Sequence, residues 1–304
     1  MTATGGPNQP TTTQPITFSF ELFPPQTGDG AVKLWGHVEK LVALKPAYIS
    51  VTCGADGGNR QGTVELVDRI RRETDVAPAA HLTCAGVSAS EVDEVAEAYW
   101  ERGVRSIVAL RGDPADGAGE AYRPHPEGYA YASDLVAALK KAHDFDISVA
   151  AYPEVHPEAT SAEADLDNLK RKVDAGANRA ITQFFFDPDV YLRFRDRAVA
   201  AGITVPIVPG IFPVSNFKRT AGFAAKCGAS VPGWMVQLFE GLEEDKETRS
   251  YLGASVAFET CRYLRDRGVD SFHIYTLNSA GIASAVCRML RAPEIGCGFS
   301  NAAE

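Results

Sequence analysis

Eight short runs of the chain are dense in Val, Ile, Phe, Tyr and Thr without strict apolar–polar alternation. They are 16–23 (ITFSFELF), 47–53 (AYISVTC), 78–84 (PAAHLTC), 105–111 (RSIVALR), 147–153 (ISVAAYP), 179–186 (RAITQFFF), 205–211 (VPIVPGI) and 271–277 (SFHIYTL). Such runs predict strands covered on both faces, as in a parallel sheet. Between them the period changes. In 90–102 (SEVDEVAEAYWER), Val92, Val95, Ala96 and Tyr99 share one stripe and acids the other, which predicts an amphipathic helix ended by Gly103. Thr160-Ser161-Ala162-Glu163 has the form of a capping box, opening a helix that runs to about Ala175. The interval 212–270 has no strand pattern and should hold at least two helices, across 216–226 and 246–267.

Eight strand–helix repeats predict an α/β fold, a (β/α)8 TIM barrel in a single domain over 16–292, with an extra helical segment before the last strand. An open doubly wound sheet is the alternative. Its dinucleotide-binding form is disfavoured, because no G-x-G-x-x-G follows the first strand. The Thr/Pro/Gly-rich residues 1–15 read as a disordered leader and 293–304 as a flexible tail. A formal charge of −9 offers no general field for a polyanion, so nucleic acid is not an expected partner. No apolar run approaches the ~20 residues that span a bilayer, and the N-terminus lacks the basic and apolar regions of a signal peptide. A cytoplasmic protein without membrane contact is expected. The six cysteines (53, 84, 227, 261, 287 and 297) form no CxxC pair and no zinc spacing, so reduced thiols and no metal are expected.

A barrel works at the carboxyl ends of its strands. There the sequence puts Glu21, Thr52, His81, Arg111-Gly112-Asp113, Tyr152 to His156, Gln183 and Tyr275 to Asn278. Each has a plain reading: Glu21 as a salt-bridged strand end, His81 as a satisfied core histidine, Arg111 and Asp113 as a pair across a tight turn, Gln183 as an interior hydrogen bonder, and Phe184-Phe185-Phe186 as core. Their convergence on one rim favours function for the set. On the helix after the fifth strand, Asp165, Asn168, Arg171 and Lys172 share one face. That stripe is either a solvated surface or a cradle in which cations meet phosphate while the acid and amide meet sugar hydroxyls.

The segments FSFELFPP, ISVTCGA, HLTC, VALRGDP, YASDLV, DISVAAYPEVHPEA, DLDNLKRKVDAGANRAITQFFFD, VPGIFPVSNFK and FHIYTLN together resemble bacterial methylenetetrahydrofolate reductase from about Ile16 to Leu290. The resemblance implies an FAD-carrying barrel. NADH (or NADPH) reduces the flavin, and the flavin passes hydride to 5,10-methylenetetrahydrofolate to give 5-methyltetrahydrofolate, by ping-pong kinetics, in methionine and one-carbon metabolism. The reverse direction stays open. So does a flavin-free barrel enzyme or a non-catalytic binding protein. A homo-oligomer is implied, as is the catalytic half alone, without a regulatory domain.

By this resemblance Glu21 is the general acid that protonates N10 of the folate, with a pKa raised by apolar neighbours. Alternation puts Phe18 and Phe20 on the opposite face, so which neighbours touch it is open. Asp113 is the carboxylate near flavin and pterin, which holds the pterin and stabilises a cation. Gln183 meets folate and nicotinamide, and Phe223 stacks on either. The FAD set is Thr52, Cys53, Ala55, His81, Arg111, Gly112, Asp113, Tyr131, Ala132, Tyr152, His156, Ala159, Asp165, Asn168, Arg171 and Lys172. Arg219 and Ser279 occupy folate-contact positions, but a bacterial relative has Gln and Arg there. The cation that meets the folate's glutamate tail is then expected to have moved between loops. Cys53 replaces an aromatic.

Overall fold

The computed structural model describes residues 14–53, 60–113 and 122–292. Ala55, most of the expected leader and the whole expected tail lie outside them. In chain order the elements are β1 (Thr17–Leu22), α1 (Gly28–Val42), β2 (Tyr48–Val51), α2 (Arg60–Glu73), β3 (Pro78–Thr83), α3 (Ala89–Glu101), β4 (Ser106–Leu110), α4 (Ala132–Ala142), β5 (Asp146–Ala151), α5 (Ala162–Asp174), β6 (Arg179–Thr182) and α6 (Pro188–Ala200). Then follow β7 (Ile207–Val208), β8 (Gly210–Ile211), α7 (Phe217–Cys227), α8 (Gly233–Phe239), α9 (Lys246–Arg265), β9 (Ser271–Tyr275) and α10 (Ala280–Arg291). Every strand pair is parallel, in the order β7-β6-β5-β4-β3-β2-β1-β9-β8. Since β7 and β8 come from one segment, the sheet closes through it, and the fold is the expected (β/α)8 barrel. The helices α8 and α9 are the extra material before the last strand.

The seventh strand is not the continuous run 205–211 that the apolar pattern predicts. Pro209 has no N–H for a ladder and divides it: β7 pairs with β6, and β8 with β9. The Pro209 carbonyl still accepts from His273 N (3.0 Å). Gly210 is needed at this break by close approach. A Cβ there would lie 2.1 Å from the Thr182 carbonyl oxygen and 2.6 Å from the Tyr275 ring.

Alternation along β1 separates two environments. Phe18, Phe20 and Leu22 are fully buried in the main core, between strands and helices. Ser19 and Glu21 face the barrel interior, which is polar: Tyr48, Ser148, Arg179 and His273 also reach it. Arg179 pairs part of this interior, donating to Ser148 Oγ (3.1 Å) and Asp146 (3.0 Å). A second apolar cluster lies under α7 and α8: Phe184, Phe186, Phe212, Val214, Ala224, Met235 and Phe239. The triple Phe is therefore core, but of two kinds, for Phe185 stacks on Tyr191 in the main core.

Helix starts follow the sequence with two differences. The α3 helix is opened by a capping box of Ser88 and Glu91, slightly ahead of the expected start. The α5 helix is capped by Ser161, not Thr160: Ser161 Oγ accepts from Ala164 N (3.1 Å). The residue three beyond the cap is then alanine, so no capping box forms. Among the described residues, no helix is long and apolar enough to cross a membrane.

Candidate active site

The carboxyl ends of the strands open into one cavity of about 1750 Å³. Glu21 stands on its floor, where the interior face of β1 reaches the rim. Its side chain is 12% exposed. Of its apolar sequence neighbours, Phe18, Phe20 and Leu22 are buried in the core on the other face, Phe23 shares the cavity lining, and two imidazoles stand beside the carboxyl. Glu21 Oε2 lies 3.4 Å from His81 Nε2 and 3.8 Å from His273 Nε2. Burial lowers the His81 pKa to about 4, against the opposing pull of the Glu21 carboxylate, so His81 is neutral near pH 7. His273 was not anticipated from the sequence. Its inward parity with Tyr275 was the available signal.

Asp113 and Gly112 follow β4 into the same cavity. Arg111 does not pair with Asp113 across the turn. It donates through Nη1 and Nη2 to Glu158 Oε2 (2.5 Å) and Oε1 (3.0 Å), and its guanidinium lies 4.3 Å from the Tyr122 ring centre. The bidentate contact holds the Glu158 carboxyl below its ordinary pKa. Neither Glu158 nor Tyr122 was anticipated from the sequence.

The loop after β5 brings Tyr152, His156 and Ala159 to the wall. The Tyr152 and His156 rings meet edge to face at 4.6 Å. His156 Nδ1 accepts from Glu158 N (3.1 Å), so the neutral ring carries its proton on Nε2. Burial, then the nearby Arg111 charge, lowers its pKa. Asp165 Oδ2 accepts from His156 N (3.0 Å), tying α5 to this loop.

Asp165, Asn168, Arg171 and Lys172 all line the cavity, with Asn168 and Arg171 exposed and Asp165 and Lys172 half-buried. Arg171 donates to Asn168 Oδ1, and Lys172 Nζ to the Ala150 carbonyl. Desolvation lowers the Lys172 pKa to about 8, with Asp165 as the opposing influence.

Thr52, Cys53, Tyr131 and Ala132 complete this side. The Cys53 thiol, near Thr83, is raised by burial. Across the cavity, Gln183 Oε1 accepts from Phe184 N (3.0 Å). Phe223 is 45% exposed on α7 and stacks on Phe184 at 5.5 Å. Arg219, one turn earlier, lines the same edge. Ser279 stands at the start of α10, outside the residues lining the cavity.

Fold and cleft together define a class: a barrel enzyme that works at the carboxyl ends of its strands. The chain belongs to the methylenetetrahydrofolate reductase family, whose sequence model matches residues 8–291. It is 53% identical over 275 residues to the 5,10-methylenetetrahydrofolate reductases of Escherichia coli (strain K12) and Pectobacterium carotovorum subsp. carotovorum, spanning 90% of this chain and 90% of each relative. Methylenetetrahydrofolate reductase (NADH) 1 of Arabidopsis thaliana is 36% identical, over 86% of this chain and 46% of that longer protein. Among solved structures, an uncharacterized Clostridium thermocellum protein that binds two copies of 5-methyl-5,6,7,8-tetrahydrofolic acid superposes with a TM-score of 0.59 at 13% identity, over 90% of this chain and 93% of that one. At that identity the likeness concerns the fold alone. Family membership supports methylenetetrahydrofolate reductase activity.

Proposed function

We propose that the chain reduces 5,10-methylenetetrahydrofolate to 5-methyltetrahydrofolate with FAD held in the cleft and NADH (or NADPH) as donor, the two substrates taking turns by ping-pong. The observation that carries this is a single cleft with a half-enclosed carboxyl, Glu21, at its floor and Arg111, Arg171 and Lys172 along one wall.

The residues present fit a dinucleotide flavin. The cavity exceeds the ~300–1,000 Å³ of an ordinary ligand site, leaving room for a second molecule. Burial lowers the Lys172 pKa to about 8 despite the opposing pull of Asp165, and an anionic group beside it would offset that desolvation. Arg111, Arg171 and Lys172 would hold the pyrophosphate, and Asp165 and Asn168 the sugar hydroxyls. Thr52, Cys53, His81, Gly112, Tyr131, Ala132, Tyr152, His156 and Ala159 would enclose the rest. When bound, the flavin supplies a carrier that takes hydride from the nicotinamide and gives it to the folate.

The chain's own part is to prepare the folate. Glu21 would protonate N10, opening the ring to an electrophilic 5-iminium carbon. Asp113 would hold the pterin and favour the cation by charge. Gln183 would orient either substrate, and the exposed Phe223 ring would stack on whichever is present. Arg219 would meet the glutamate tail, and Ser279 leaves no second cation on the facing loop.

The test is anaerobic spectroscopy of the purified protein. The reading expects oxidised-flavin absorbance, bleached by NADH and restored by methylenetetrahydrofolate. A colourless protein that takes up no FAD contradicts it.

A further inference from the structure

Beneath Glu21 the barrel interior holds a buried polar chain that the proposed reaction leaves unused. Strand register builds it. Ser19 on β1 lies directly beside His273 on β9, and Glu21 beside Tyr275. Ser19 Oγ and His273 Nδ1 are 2.8 Å apart. Ser19 and His273 are 3% and 1% exposed, so this bond is shielded from competing water. With Nδ1 engaged, His273 turns Nε2 toward Glu21 Oε2. The separation of 3.8 Å is about 1 Å beyond a hydrogen bond, so proton transfer requires the carboxyl to turn toward the ring.

The groups around His273 come from each neighbouring strand. Glu21 and Ser19 stand on β1, Tyr48 on β2 stacks at 6.0 Å, His81 on β3 lies beyond Glu21, and Tyr275 of its own strand meets it edge-on at 5.3 Å. The adjoining β8 contributes no titratable group, being Gly210 and Ile211. Arg179 lies behind Tyr48, 5.5 Å from its ring centre, and pairs with Asp146. Of the two imidazoles at Glu21, His273 has its other nitrogen held by Ser19, which fixes its Nε2 on the carboxylate side.

We propose that His273, fixed by Ser19, is the positioning residue that returns a proton to Glu21 in each turnover. The inference rests on Glu21 being the acid. Substrates alternating over the cleft floor cover the carboxyl from above and leave the imidazole below as its proton source. In the step, the His273 Nε2–H bond breaks and a Glu21 Oε2–H bond forms. The ring passes from imidazolium to neutral imidazole and keeps the electron pair, nothing is oxidised, and His273 regains its proton from cleft water once the product has left the floor.

The experiment is stopped-flow of the flavin-loaded protein from pH 6 to pH 9, following reduction by NADH and reoxidation by methylenetetrahydrofolate separately. His273→Gln keeps a polar side chain but carries no proton. It is expected to slow reoxidation about tenfold or more at pH 8, recover toward the parent rate at pH 6 where bulk protons replace the relay, and leave reduction by NADH unaltered. Ser19→Ala, which leaves the imidazole in place, should shift the reoxidation profile in the same direction by a smaller factor. It also keeps the test open if His273→Gln fails to fold. An unchanged profile in both variants, or a loss equal at every pH or in both half-reactions, overturns the proposal. Glu21→Gln run alongside separates the two ideas: normal reoxidation in that variant removes the acid itself, whereas its loss with normal His273→Gln profiles removes only the relay.

Discussion

Lys172 and His81 are buried bases whose protonation opposes their surroundings, and each makes pH a probe of the site. The Lys172 pKa is lowered from 10.5 to about 8, by desolvation first. Between those values the unfolded chain binds the proton more readily, so this residue's penalty is full below pH 8 and fades as pH rises toward 10.5. A phosphate beside the ammonium would restore its proton. FAD affinity, followed by quenching of flavin fluorescence, should therefore weaken as pH rises from 7 to 9. Lys172→Met should flatten that dependence and cost about 10- to 100-fold in Kd, the worth of one charge-assisted hydrogen bond. For His81 the folded value of about 4 lies below the ordinary 6.5. Stability from this residue is present above pH 6.5 and lost as pH falls toward 4, by about 3 kcal/mol across the window. Denaturant titrations at pH 7 and pH 4.5 should show a smaller fall for His81→Gln than for the parent. Glu21 and His81 were legible because a polar residue inside an apolar strand is conspicuous. His273 sits in an equally apolar strand, but its importance comes from lying beside Ser19, 254 residues away, and no local pattern carries that.

At the scale of elements, caps and strand breaks decide how the rim is placed. The start of α5 is set by the Ser161 hydroxyl on Ala164 N. Ser161→Ala should cost about 1 kcal/mol in a denaturation experiment, while Thr160→Ala, outside the cap, should cost little. The sequence offered both hydroxyls and a glutamate at the right spacing from the wrong one, and only backbone geometry chooses between them. The seventh strand shows the same limit. Its apolar run was readable, yet Pro209 divides it, because β6 and β9 each pair with only one half. Gly210→Ala would press a methyl group onto the Thr182 carbonyl and the Tyr275 ring. A loss of about 1–3 kcal/mol is expected from such overpacking, together with slower folate turnover, since Tyr275 lines the same cleft.

Over the whole molecule, the barrel gathers groups from nearly every strand end into one cleft. That was the most legible feature, since alternating strands and helices predict the barrel and the barrel predicts its working end. What closure pairs across the rim was not legible. Arg111 reaches Glu158, 47 residues on, rather than its near neighbour Asp113. The phenylalanine triplet, just past the end of β6, divides between two cores by alternation, Phe185 into one and Phe184 and Phe186 into the other. Long-range pairs of this kind follow from register and loop path, which a single sequence does not display. The central claim is that Glu21 prepares the folate and takes no part in accepting hydride from the nicotinamide. The measurement that tests it most directly is anaerobic stopped-flow of Glu21→Gln loaded with flavin. The account predicts bleaching by NADH at the parent rate and a reoxidation by methylenetetrahydrofolate at least about 100-fold slower, the lower end of what a general acid contributes. Reoxidation at the parent rate would contradict it.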